Sequence, residues 1–200
     1  MKTKSLSIFL VTLFVVEMNL GAEEDNENKE DENFEYEKMK DNPPKIDFSS
    51  NIILIGDSNV GKSALITKIC KNEFPDVYSP TVGFDFFYLK FKIVSDEDEP
   101  VLKYQIWDCS GGENYRSIFQ NFYKSARVCL LAYDVTDEES FNDIENWVND
   151  VKSNNKSIHF VLIGNKIDLN DNRKVPKEAG ENFAKTNNMR FVEVSAKTDA

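Results

Sequence analysis

One eight-residue segment restricts the folds open to this chain more than any other feature. Residues 56–63 read Gly-Asp-Ser-Asn-Val-Gly-Lys-Ser and directly follow the apolar run 52–55. The run predicts a strand, the glycines permit a tight turn, and the residues after Lys62 have helical spacing. This order places backbone N–H groups and a helix N-terminus around a phosphate chain. We expect Lys62 to contact the β- and γ-phosphates of a nucleotide and the Ser63 hydroxyl to bind Mg²⁺.

Apolar runs recur along the rest of the chain, and amphipathic segments separate most of them. Further strands are predicted at residues 84–94, 101–107, 128–133, 159–163 and 191–194. A single helix is expected after Asp137, which can cap it, and another near Pro176. The alternation predicts an α/β fold with a mainly parallel six-stranded sheet and helices on both faces.

The amino-terminal residues differ from the rest in composition. Residues 1–22 place two lysines before an apolar run and small residues after it, which is typical of a secretory signal peptide. From Glu23 to Lys45 there are ten acidic residues and four lysines, so we expect residues 23–48 to form an acidic disordered linker, with a docking segment as the alternative. A globular domain is expected over residues 49–200. The formal net charge of −11 argues against nucleic-acid binding.

Two positions downstream of the glycine loop could complete a magnesium site. Asp108 follows a predicted strand, where an aspartate can hold Mg²⁺ through water. Thr81 could supply a second hydroxyl, although that position taken alone is better explained as an ordinary loop threonine. Gly111 could bring its backbone N–H close to a γ-phosphate because it has no Cβ, although the same Asp-x-x-Gly spacing is also a common turn signal.

Residues 165–168, Asn-Lys-Ile-Asp, follow another predicted strand and point to a guanine base. The Asp168 carboxylate can accept hydrogen bonds from guanine N1–H and the exocyclic amine, an arrangement that adenine lacks. Residues 195–197 follow the last strand and could offer backbone N–H groups to the guanine carbonyl. These motifs fall at carboxyl ends of strands, where doubly wound sheets bind ligands. GTP or GDP with Mg²⁺ is therefore the predicted ligand.

With these motifs the chain resembles the Ras superfamily of small GTPases, and most closely its Rab branch, from about residue 52 to residue 197. The Rab-like details are Gly-Asp-Ser at residues 56–58, Thr-Val-Gly-Phe-Asp-Phe at 81–86 and Tyr-Asp-Val-Thr-Asp at 133–137. The resemblance implies a P-loop GTPase fold whose final helix would lie beyond Ala200, so we expect a carboxyl-terminally truncated domain. It also implies a switch protein of vesicle transport on the cytoplasmic face of endomembranes, which conflicts with the signal-peptide-like segment.

Roles for individual residues follow from the resemblance. Phe74 would pack against the guanine base, and residues 74–86 and 109–125 would be switch regions that bind effectors, exchange factors and GTPase-activating proteins. The implied catalytic positions are Lys62, Thr81, Gly111 and Gly112. The implied metal ligands are Ser63, Thr81 and Asp108. The implied nucleotide-binding residues are Asn59, Val60, Gly61, Lys62, Ser63, Ala64, Phe74, Thr81, Gly111, Asn165, Lys166, Asp168, Ser195, Ala196 and Lys197.

Gly112 departs from the family pattern at the position where the family carries a glutamine. That glutamine orients the attacking water, and a glycine has no side chain for the task. We therefore expect slow intrinsic GTP hydrolysis. Two alternatives remain open: a GTP-binding scaffold that does not hydrolyse, and a degenerate product of a truncated gene.

Overall fold

A single sheet of seven strands runs through the residues described by the computed structural model, which are 35–38, 46–75, 79–94, 101–112 and 116–198. In chain order the strands are β1 (Glu35–Lys38), β2 (Phe48–Ile55), β3 (Phe84–Val94), β4 (Val101–Cys109), β5 (Val128–Asp134), β6 (His159–Asn165) and β7 (Arg190–Glu193). Their spatial order is β1-β3-β4-β2-β5-β6-β7. All pairs from β4 to β7 are parallel, and β3 runs antiparallel to β4. The predicted α/β fold with a mainly parallel sheet is confirmed.

Strand β1 adds a seventh strand to the six that the sequence predicted. It pairs antiparallel with β3, from Glu35 opposite Val94 to Lys38 opposite Phe91. The expectation of disorder is wrong for these four residues and for Phe48, which begins β2. Composition predicts whether side chains can be buried, whereas an edge strand forms through backbone hydrogen bonds to its neighbour and needs no apolar run. Residues 1–34 and 39–45, with the signal-peptide-like segment, lie outside the described part of the chain.

The helices connect the strands on both faces of the sheet. They are α1 (Lys62–Lys71), α2 (Arg116–Ser125), α3 (Glu138–Asn142), α4 (Ile144–Asn154) and α5 (Lys177–Thr186), with a 3₁₀ helix over Ile167–Asn172. None of the helices in the described ranges is long and apolar enough to cross a membrane. The final helix expected from the resemblance falls beyond the last described residue and stays a prediction.

The helix predicted after Asp137 is divided into α3 and α4. Asp137 caps α3 as expected, because its carboxylate accepts a hydrogen bond from the Glu139 N–H. At Asp143 the carbonyl oxygen accepts from both Asn146 N–H at 3.0 Å and Trp147 N–H at 3.3 Å. This sharing tightens the turn toward 3₁₀ geometry and separates the two helices. Because the apolar periodicity continues through the break, the sequence pattern does not reveal that the helix is divided.

The core lies on both faces of the sheet. Ile52 and Leu54 of β2 pack on the face that carries α1, and Ile53 and Ile55 pack on the face that carries α2, α4 and α5. All four side chains are completely buried. A strand covered on both faces reads as a continuous apolar run, which is why β2 was recognisable in the sequence.

The strand order determines where a ligand can bind. Strand β2 has β4 on one side and β5 on the other, and the three run parallel. The connections that leave their carboxyl ends therefore diverge to opposite faces and open a crevice at the end of β2. Every motif singled out in the sequence, apart from Phe74 and Thr81, lies at the carboxyl end of one of the parallel strands.

Candidate functional site

The loop between β2 and α1 turns sharply around a cavity. Gly56 has φ of 137°, and a Cβ there would collide with the Ala132 carbonyl oxygen of the neighbouring strand. Asn59 has φ of 65°, the left-handed region that asparagine tolerates better than most residues. Gly61, at φ of 93°, leads into the first turn of α1. The loop has the conformation that a phosphate-binding loop requires.

Lys62 is held at the centre of this loop. Its ammonium donates to the carbonyl oxygens of Gly56 at 2.8 Å and Asp57 at 2.6 Å, and the residue is 6% exposed. Burial lowers the pKa of Lys62 to about 8, and the nearby carboxylates of Asp108 and Asp57 oppose that shift. A buried cation whose hydrogen bonds go to loop carbonyl oxygens is a ready partner for an anionic phosphate.

The three predicted metal ligands meet beside Lys62. The Ser63 hydroxyl donates to Asp108 Oδ2 at 2.6 Å and shares a 2.8 Å hydrogen bond with the Thr81 hydroxyl. The second carboxylate oxygen, Asp108 Oδ1, is buried and has no hydrogen-bond partner within the described residues. Two hydroxyls and one carboxylate are hard oxygen donors, and Mg²⁺ is usually held by one or two carboxylates together with substrate phosphates. The residues present therefore fit Mg²⁺.

At the other end of the cavity, Asn165 joins three segments. It is 1% exposed, its side-chain N–H donates to the Val60 carbonyl at 2.8 Å, and its Oδ1 accepts from the Ala196 N–H at 3.4 Å. The end of β6, the glycine loop and residues 195–197 are thus connected through one carboxamide. Val60 contributes its carbonyl to this connection, and its side chain is buried in the core.

The Asp168 carboxylate is oriented by the segment after β7. Its Oδ1 accepts from the Ser195 hydroxyl at 2.6 Å, and that hydroxyl accepts from the backbone N–H groups of Lys197 and Thr198, both at 3.1 Å. Ser195 is completely buried, so these bonds hold Asp168 through a rigid group. An aspartate fixed in this way can present its carboxylate to paired N–H donors of a planar base.

Lys166 closes one side of the cavity. It has φ of 67°, and its ammonium bonds the Asn59 carbonyl at 2.7 Å and the Asp134 carboxylate at 2.6 Å. Asp134, 6% exposed, was missed in the sequence. Its position at the end of a buried strand was the available signal, but its partner Lys166 lies thirty-two residues later and only the fold brings them together.

A cavity of about 570 Å³ connects the phosphate and base ends. The predicted nucleotide-binding residues line it, except for Val60 and Ser195. These two do not line the cavity but form hydrogen bonds with the lining residues Asn165 and Asp168. Asp108 and Gly112 also lie outside the wall. The sequence missed Thr67, which follows Ser63 by one turn of α1, and Leu169, which is apolar, 40% exposed and adjacent to Asp168. The other lining residues it missed are Ser58, Pro75, Ser79, Pro80 and Ser110.

Comparison with known proteins identifies the family. The Ras family model matches residues 51–200. This chain belongs to the Ras family. Its relatives include Ras-related protein RABD2a of Arabidopsis thaliana, 38% identical over 155 residues, which are 77% of this chain and 74% of that protein. Rab-13 of Rattus norvegicus is 39% identical over 148 residues, covering 74% of this chain and 71% of Rab-13. Rab-8B of Homo sapiens is 37% identical over 155 residues, covering 77% and 73%.

The chain is thus a Rab-like small GTPase, and the resemblance drawn from its motifs is confirmed. Ras and Rab proteins are GTPases that bind GTP or GDP with Mg²⁺, and the site of this Rab-like GTPase has the groups that such a ligand requires. The two predicted switch regions are described except for residues 76–78 and 113–115.

Aromatic side chains connect the two predicted switch regions. Phe84, in the first region, packs with its ring centroid 4.8 Å from that of Phe122 in α2. Trp107 contacts both, with centroid separations of 5.4 Å to Phe84 and 4.5 Å to Phe122. Phe84 remains 40% exposed. A displacement of either predicted region would therefore change the packing of the other through these ring contacts.

Burial makes ionisation of the Asp108 carboxyl unfavourable. Burial raises its pKa to about 6, against the opposing effects of the Ser63 hydrogen bond and the Lys62 ammonium. A carboxyl whose folded pKa exceeds its unfolded value stabilises the fold at low pH, and the contribution is lost as pH rises through the folded pKa. Here the loss extends from about pH 4 to about pH 6, because the ordinary value is 3.8.

We expect Asp108→Asn to stabilise the ligand-free GTPase more at pH 7 than at pH 5, since asparagine does not ionise. The difference in unfolding free energy between variant and wild type should grow by about 1 kcal/mol over that interval. Urea unfolding in EDTA at both pH values measures it, with Glu145→Gln, an exposed carboxylate on α4, as the control. A difference independent of pH would contradict the assignment.

Proposed function

We propose that this Rab-like chain is a GTP/GDP-binding switch with slow intrinsic GTP hydrolysis. The observation that supports it most strongly is the single cavity that joins Lys62 and Ser63 at one end to Asp168 at the other. A triphosphate, a ribose and a guanine base in one extended ligand would meet a suitable group at each end.

In the proposed bound state, Ser63 and Thr81 would hold Mg²⁺ with their hydroxyls and Asp108 through water. The ion, when bound, neutralises charge on the β- and γ-phosphate oxygens. Lys62 would exchange its loop carbonyls for phosphate oxygens, and the Gly111 N–H would contact the γ-phosphate. Thr81 and Gly111 lie in different switch regions, so loss of the γ-phosphate would release both regions together.

Asp168 should determine the choice of base. We expect the wild type to bind GDP far more tightly than ADP, and more tightly than inosine diphosphate, which lacks the exocyclic amine. Asp168→Ala should weaken GDP binding by at least about tenfold, because hydrogen bonds to a charged acceptor are lost, and should narrow the preference for GDP over inosine diphosphate. Competition against a fluorescent GDP measures all three affinities.

Ser195→Ala is the matched control for that experiment, since it removes the hydroxyl that orients Asp168 and leaves the carboxylate in place. Its effect should be smaller than that of Asp168→Ala. Equal affinity of the wild type for GDP and ADP would overturn the assignment of guanine.

Slow hydrolysis rests on Gly112. Its backbone N–H lies 3.4 Å from the Ser110 hydroxyl, and it presents no side chain to a water molecule. Gly112→Gln should raise the single-turnover rate of GTP hydrolysis by at least about tenfold, the effect of one positioned catalytic group being larger still in favourable cases. Gly112→Ala, which adds a side chain without a carboxamide, is the control. Equal rates for wild type and Gly112→Gln would contradict the proposal that Gly112 slows hydrolysis.

Gly112 also favours the second candidate function, a GTP-binding scaffold held in one state. Multiple-turnover phosphate release with and without a GTPase-activating protein separates the two, because a switch should turn over when a partner supplies catalytic groups in trans. A degenerate, unfolded product would show no rise in melting temperature with GTP and Mg²⁺.

Membrane traffic is the proposed setting. Effectors, exchange factors and activating proteins would bind residues 74–86 and 109–125, where the aromatic cluster of Phe84, Trp107 and Phe122 links the two switches. The proposal places the domain on the cytoplasmic face of endomembranes, because its partners and nucleotide are there. A carboxyl-terminal tag fully protected from protease in intact vesicles would contradict this placement.

A further inference from the structure

The phosphate-binding loop is anchored from its outer side by a buried tryptophan. Trp147 of α4 is completely buried, and its indole Nε1–H donates to Asp57 Oδ1 at 2.8 Å. The two residues are 90 positions apart in the chain. Trp147 belongs to the core cluster that also includes Phe119 of α2, so the anchor is part of the packed interior.

Such a bond is not a general consequence of burying an indole in this protein. The chain has two tryptophans, and the Nε1 of the other, Trp107, is buried without a hydrogen-bond partner in the part that the structure describes. Burial of Trp147 therefore coincides with a specific, charge-assisted bond to the loop. Bonds of this class are stronger than those between neutral groups.

Asp57 carries the effect of the anchor into the site through its backbone. Its carbonyl oxygen accepts from the Lys62 ammonium at 2.6 Å. On its other side the Asp57–Ser58 peptide lies directly against Gly111, where a Cβ would collide with the Asp57 carbonyl carbon and the Ser58 nitrogen. The same peptide thus touches the phosphate-binding lysine and the glycine of the second switch region.

We propose that Trp147 is a positioning residue that holds the Asp57–Ser58 peptide against Gly111 and thereby favours retention of GTP over GDP. The inference rests on the proposed function. Gly111 would contact only the γ-phosphate, whereas most of the loop would contact phosphates that GTP and GDP share. A loop that drifts away from Gly111 therefore loses triphosphate contacts first.

Trp147→Phe tests the proposal, because it removes the indole N–H and keeps an aromatic ring. Dissociation rates would be measured for fluorescent GDP and for a non-hydrolysable GTP analogue with the same fluorophore. We expect release of the GTP analogue to accelerate about fivefold, the factor that corresponds to one net hydrogen bond, and release of GDP to change by less than about twofold.

Variants at Asp57 separate the hydrogen bond from other effects. Asp57→Ala removes the acceptor without disturbing the core and should match Trp147→Phe, and the double variant should add nothing further. Asp57→Asn keeps an acceptor while losing the charge beside Lys62, so it should fall nearer the wild type. Val151→Ala, a truncation of another fully buried residue of α4, is the control for general destabilisation and should leave the ratio of the two rates unchanged.

Equal acceleration of both nucleotides in Trp147→Phe and Asp57→Ala, or no acceleration, would overturn the inference while leaving the proposed function intact. A shift in the ratio caused equally by Val151→Ala would also overturn it. Wild-type protein that retains no guanine nucleotide would instead overturn the proposed function, and this inference with it.

Discussion

The parallel pairing of β2 with β4 on one side and β5 on the other is the constraint on which the rest of the site depends. It brings the glycine loop, Asp108 and the end of β5 to one edge of the sheet, and β6 continues that edge to Asn165. The site therefore combines segments that are far apart in the chain. Their separation in space follows from a strand spacing of about 4.8 Å.

Within this frame the site contains two buried ionisable groups, Lys62 and Asp108. Lys62 donates its hydrogen bonds to loop carbonyls, and Asp108 has a buried oxygen without a partner in the described structure. Burial lowers the pKa of Lys62 and raises the pKa of Asp108, so it disfavours the charged form of each side chain. A phosphate next to Lys62 and a cation next to Asp108 would remove both penalties together. Ligand binding would therefore increase the stability of the folded protein.

The sequence predicted the parts of the molecule that depend on local pattern. The six predicted strands are apolar or strand-like runs, and Lys62, Ser63 and Asp168 follow such runs at positions typical of nucleotide-binding sites. The rest depends on partners that are distant in the chain. Strand β1 forms by pairing with the backbone of β3. Asp134 contacts Lys166 only because β5 pairs with β6. The hydrogen bond from Trp147 to Asp57 joins a buried helix residue to a loop. The break at Asp143 was not predictable from the sequence because it changes the hydrogen bonding without interrupting the apolar spacing.

Strand β1 has a further consequence for the end of the sheet that it joins. Phe84, at the start of β3, pairs with Cys109 beside the site, whereas β1 pairs only with the other end of β3, from Phe91 to Val94. Phe91 lies seven residue steps along the extended strand from Phe84, a distance of about 23 Å. The hydrogen bonds of β1 therefore act at the end of β3 remote from the cavity mouth, and β1 widens the sheet there without adding backbone pairing beside the site.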